Sequence, residues 1–164
     1  MKKRLICFLL LILLFPTGCT QSNATPEQIL RALTRAEIGL PAGKLYLASA
    51  AQDEAAYLSP ELISAMYAGG EPPWQLSLCE DYGIFVSSAQ HPCEFAVFLC
   101  YSRSDTDLLS AMCQVRLDAL RAHYKDTAYA HYTDSARVAV VGRYVLLLVS
   151  SDPEHALKVA RQVI

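Results

Sequence analysis

Tyr82-Gly83-Ile84-Phe85-Val86-Ser87 and Cys93-Glu94-Phe95-Ala96-Val97-Phe98-Leu99-Cys100-Tyr101, separated only by residues 88–92, decide the fold. Both runs are dense in β-branched and aromatic residues, and the polar Ser-Ala-Gln-His-Pro segment between them reads as the turn of a β-hairpin. With the turn there, the positions of facing residues sum to roughly 180, so Cys79 falls opposite Cys100 and Cys93 lies at the far end of the ladder. Downstream, residues 106–125 have apolar positions at helical spacing, with Ser104 or Thr106 as the cap. Residues 137–141 and 144–150 form a second hairpin across Gly142-Arg143. Asp152-Pro153-Glu154 then opens a last helix with Ala156, Leu157, Ala160 and Val163 on its apolar face.

Upstream, Thr25-Pro26-Glu27-Gln28 has the pattern of a capping box with proline at the first helical position. Ile29, Leu30, Leu33 and Ala36 follow at helical spacing until Gly39 and Pro41 stop the element. Ser59-Pro60-Glu61 opens a shorter helix through Leu62, Ile63 and Met66 to Gly69-Gly70. Residues 44–50 fit either a strand or a loop, and residues 71–74 read as a loop. The order predicts an α+β fold: an antiparallel sheet of two hairpins, the long helix and the C-terminal helix on one face, and two short N-terminal helices.

The first 18 residues read as a leader. Lys2, Lys3 and Arg4 precede an apolar run over residues 5–15, which suits a signal-peptide core and is too short to span a bilayer. Thr17-Gly18-Cys19 resembles the bacterial lipobox, whose cysteine takes a diacylglyceryl group and becomes the new N-terminus. Pro16 stands where that motif usually has leucine. The expected organisation is a lipoprotein signal peptide over 1–18, a tether over 19–25 and one domain over 26–164. Without the three leader cations, 11 basic residues face 16 acidic ones, a net of −5. With no basic stripe, nucleic acid is not an expected partner. Contact with the membrane rests on the lipid at Cys19.

The long helix carries the residues that break pattern. On a helical wheel Leu108, Leu109, Met112, Ala119 and Leu120 share the apolar side, and Arg116 sits in their midst with His123 close by. A guanidinium there keeps its proton and needs a carboxylate, carbonyls or an anion. It could bind an anion beneath a pocket with His123, or pair with Glu94, Glu80 or Asp134, or lay its stem on the core with its head in water. Glu94 is the favoured partner because it opens the strand preceding the helix.

Outside the leader and Cys19, Cys79, Cys93, Cys100 and Cys113 lack the spacing of zinc or thioredoxin-type sites. They read as reduced, buried core residues, with Cys79–Cys100 the one bridge the hairpin would admit. Cys93 and Cys100, seven apart, point to opposite faces of the sheet. Asp105-Thr106-Asp107 reads as an acidic helix cap. His91, His123, His131 and His155 have no metal-ligand spacing, and no nucleophile elbow, phosphate loop or Ser-x-x-Lys motif occurs. Neither metal nor cofactor is therefore expected. Tyr124, Tyr129 and Tyr132 form either a recognition patch or core filler, and Trp74 either a loop anchor or a contact residue.

Glu94-Phe95-Ala96-Val97-Phe98, the helix around Arg116 and Arg137-Val138-Ala139-Val140-Val141-Gly142-Arg143-Tyr144-Val145 together resemble an uncharacterised family of lipoproteins from low-GC Gram-positive bacteria, known only as a domain of unknown function. The resemblance spans about residues 80–160 and implies an envelope location and an α+β fold, but no reaction. The expectation is a non-catalytic domain on the outer face of the cytoplasmic membrane that binds another envelope component. An extracytoplasmic hydrolase of envelope material and a thiol redox protein are the alternatives.

Overall fold

The computed structural model describes residues 24–67, 73–88 and 90–164. The leader, Cys19 and residues 20–23 of the tether lie outside the described residues, as do Gly69-Gly70 and the first part of the loop ahead of Trp74. The elements run α1 (Pro26–Ala36), β1 (Gly43–Leu47), α2 (Pro60–Tyr67), β2 (Cys79–Ser87), β3 (Glu94–Cys100), α3 (Thr106–Tyr124), α4 (Ala130–Ser135), β4 (Arg137–Val141), β5 (Tyr144–Val149) and α5 (Pro153–Val163). Single 3-10 turns, Trp74–Leu78 and Arg103–Asp105, lead into β2 and α3. The protein is α+β: all five strands pair antiparallel, in the order β1-β2-β3-β5-β4.

Local chemistry sets the ends of these elements. The Thr25 hydroxyl accepts from the Gln28 N–H while the Gln28 side chain accepts from the Thr25 N–H, closing the capping box that starts α1. Gly142 adopts φ +61° in the tight β4–β5 turn, a conformation that disfavours side chains. In the first hairpin Gly83 faces Val97 and Cys79 faces Cys100, with an irregularity after Cys79. Of residues 44–50, undecided from sequence, those up to Leu47 join Gly43 in β1, the fifth strand, at the β2 edge.

The expected layering needs correction. α3 and α5 lie on opposite faces of the sheet, giving three layers. Ile84, Ala96, Phe98, Val145 and Leu147 pack with α2 and α3. Phe85, Phe95, Val97, Leu146 and Leu148 pack instead with α1 and α5. The reason lies in the central strands: β3 and β5 are buried at every position, so both of their faces are apolar. One uncovered face would leave several large side chains in water at about 1.5–3 kcal/mol each.

α3 is also turned relative to its expected orientation. Its buried line runs through Leu109, Met112, Cys113, Leu117, Leu120 and Tyr124, while Leu108 and Ala119 face outward. The helix is apolar over a wider arc than the sheet covers, and Leu117 and Tyr124, which belong to the same side as Cys113, draw the contact line away from Leu108.

Candidate functional site

Glu94 opens β3 in the row Val86–Glu94–Val149, facing the layer of α2 and α3. Its side chain is 1% exposed, and it stands between the last residue of α2 and the middle of α3. Arg116 donates from Nε to Oε1 and Oε2 at 3.3 and 3.1 Å, and from Nη2 to Oε2 at 2.6 Å. Tyr67 donates its hydroxyl to Oε1 at 2.9 Å. The guanidinium carbon also lies 5.9 Å from the centre of the Tyr67 ring, close enough for cation–π attraction. A buried carboxylate is thus neutralised and hydrogen-bonded on both oxygens, as such a group must be.

The groups around the pair are pushed in consistent directions. Burial opposes the charge on Arg116, but Glu94 outweighs it and holds the guanidinium above its ordinary pKa. Burial, reinforced by Glu94, raises the Tyr67 hydroxyl well above its usual value and keeps it a donor. Arg116 remains 18% exposed on its outer edge. That edge opens into a cavity of about 370 Å³ whose wall includes Ser87, Ser88, His91, His123 and Tyr124.

His123 lines the rim, exposed, with its ring edge-on to Tyr124 at 4.7 Å. His91 is more tightly held. Its Nδ1 accepts from the Cys93 N–H at 3.1 Å, and its carbonyl accepts from the Ser87 hydroxyl. Tyr129 and Tyr132 each pack on its ring at 4.7 Å. Burial lowers its pKa, so the neutral ring with its proton on Nε2 is favoured. A second cavity of about 370 Å³ shares Val86, Ser87 and Ser88 with the first, and is walled by Lys44, Tyr46, Leu62 and Met66. Together they form a cleft over this end of β2, polar toward α3 and apolar toward α2.

The four cysteines among the described residues, Cys79, Cys93, Cys100 and Cys113, are buried free thiols. Cys79 and Cys100 face each other across the first hairpin as thiols, not as a bridge. A hydrogen bond between them, together with burial, raises Cys79, and the same bond lowers Cys100. Cys93 packs in the layer of α1 and α5, opposite to Cys100, and burial pushes its thiol up to about 12. Among the described residues no three metal-ligating side chains cluster.

Sequence reasoning put Arg116, Glu94 and His123 on one side of the molecule, and they do share the cavity. It missed Tyr67 and the seating of His91. Tyr67 carries no sequence signal, since its role depends on α2 docking beside β3. His91 has one: a histidine three residues before the first strand position can close the turn by accepting, at its ring nitrogen, the N–H two residues on.

The cavity sits at one end of the sheet, and the chain enters at the other. The Tyr144 hydroxyl donates to the Ala24 carbonyl at 2.7 Å, and Tyr144 pairs with Leu99 near the far end of β3. Glu94 and the Tyr144 row that holds Ala24 are therefore five strand residues apart, roughly 17 Å. Comparison with protein-family models, with curated proteins and with solved structures gives no match in any of the three.

Proposed function

We propose that the protein is a lipid-anchored domain on the outer face of the cytoplasmic membrane, and that it binds another envelope component in the cleft over the end of β2 without acting on it chemically. The leader pattern from Lys2 to Cys19 supports the anchor. The binding half is carried by one observation, the commitment of Arg116 to Glu94. The pair is already neutral, so the cleft presents hydrogen-bonding edges and an apolar arm, which orient a ligand. It does not present an activated nucleophile beside a base: Cys93 lines the cavity with His91, but burial holds its thiol protonated, and it is the Cys93 N–H that occupies His91 Nδ1.

The test is photo-crosslinking in cells that keep the native anchor. A photoreactive residue at Ser88, on the cleft, is compared with one at Lys158, exposed on α5 in the other layer. A single adduct recurring at Ser88 and absent from Lys158 is the expected result. No adduct at Ser88, or equal capture at both, overturns the binding half. A free, unmodified thiol at Cys19 in the mass spectrum of the membrane-fraction protein overturns the anchor.

A further inference from the structure

We infer that the end of the domain bearing Trp74, Tyr101 and Leu108 rests on the head-group layer of the membrane, so that the cleft points away from it. This rests on the proposed anchor at Cys19. Trp74 is 61% exposed, Tyr101 63% and Leu108 44%. All three belong to the end of the sheet where Ala24 enters. Tyr101 follows the last residue of β3, and its N–H donates to the Leu78 carbonyl, tying it to the 3-10 turn that Trp74 begins. Leu108 lies in the first turn of α3, just after Asp105, whose charge is felt by Cys79 and Cys100 at that same end. Val140, also exposed, pairs with Val145 beside the β4–β5 turn there. Tryptophan and tyrosine combine an apolar body with a polar tip, the combination that settles at a bilayer interface.

The tether restricts the alternatives. Five peptide steps join Cys19 to Ala24. Fully extended they reach about 17 Å, no more than the five residues of β3 from Leu99 to Glu94, so the short tether holds the Ala24 end nearest the bilayer, and an inverted domain would need it at full stretch. Charge does not drive the contact. Arg143 is paired with Glu80 at 3.0 Å, and Arg103 is followed by Asp105 and Asp107. The rings and the anchor carry it.

Trp74 is the only tryptophan in the chain, so it reports its own surroundings. The full, lipidated protein is reconstituted into phosphatidylcholine vesicles carrying nitroxide labels either near the head group or deep in the acyl chains. Trp74 fluorescence is expected to shift to shorter wavelength and to be quenched more by the shallow label. A Trp74→Phe, Ile38→Trp variant moves the probe to an exposed position at the cleft end, beyond Glu37, which accepts from Ser151 after β5. That variant is expected to remain unquenched on the same vesicles. Protein that floats with the vesicles but shows an unquenched Trp74, or equal quenching at both positions, overturns the orientation and leaves the anchor standing. Protein with an unmodified Cys19 that fails to float overturns the anchor, and the orientation with it.

Discussion

Replacing Arg116 with alanine tests whether the Glu94 pair holds α3 to the sheet. The carboxylate is 1% exposed and would retain only the Tyr67 hydroxyl as a partner. Removing one member of a buried pair costs about 3–5 kcal/mol, because the other charge is left in a poorly polarisable site. Arg116 is itself 18% exposed, so water can enter the vacated space. The lower end, about 3 kcal/mol, is therefore expected. For a domain of this size that corresponds to roughly 10 °C in Tm. Glu94→Gln keeps the shape and the Tyr67 contact but strands a guanidinium that cannot deprotonate, at about 2 kcal/mol. In the double variant neither charge remains buried alone, so the two losses should not add. Urea titration of the two single variants and the double variant, on the chain lacking its leader, measures the coupling, expected near 2 kcal/mol. Coupling below about 0.5 kcal/mol would refute the reasoning.

Three further outcomes are expected. In Gly83→Ala the new methyl carbon would stand 2.8 Å from Leu47 Cδ2, 2.9 Å from Leu30 Cδ1 and 3.0 Å from the Tyr46 carbonyl. It should cost about 1–3 kcal/mol in urea unfolding. A loss under about 0.5 kcal/mol would mean that α1 yields freely. His91 has a folded pKa below its ordinary 6.5, so its contribution to stability is present above the unfolded value and is lost as pH falls through the folded one. NMR titration should show its imidazole protonating below 6.5, with exchange protection of the Cys93 amide lost over the same range; an imidazole titrating above 6.5 contradicts this. Finally, the four buried thiols should resist a thiol reagent until the protein unfolds, and a mild oxidant should join Cys79 to Cys100, which face each other in register. Peptide mapping that finds Cys100 joined to Cys113 instead would contradict that pairing.

Much of the fold was legible along the chain because its signals are local. The Thr25 capping box, the turn before β3, Gly142 between the last two strands and the α3 period each act within a few residues. The hairpin register followed from the position of one turn and placed Cys79 against Cys100. The pairing of Arg116 with Glu94 was also accessible, since an arginine on an apolar helical face demands a carboxylate from the strand beside it. The two-sided burial of the sheet was written in the unbroken apolar runs of β3 and β5, although a reading based on hairpins assigned them one covered face.

Other features depended on contacts between distant segments. Only the docking of α2 brings Tyr67 to Glu94, 27 positions away. The strand at residues 43–47 takes its shape from the open edge of β2, not from its own composition. Sequence alone could propose a thioether at Cys19, an antiparallel sheet and a buried charge. Which end of the sheet meets the tether, and which holds the cleft, was settled by tertiary packing: Ala24 docks under Tyr144 while Arg116 reaches Glu94 a strand's length away. No local interaction fixes both of those ends at once.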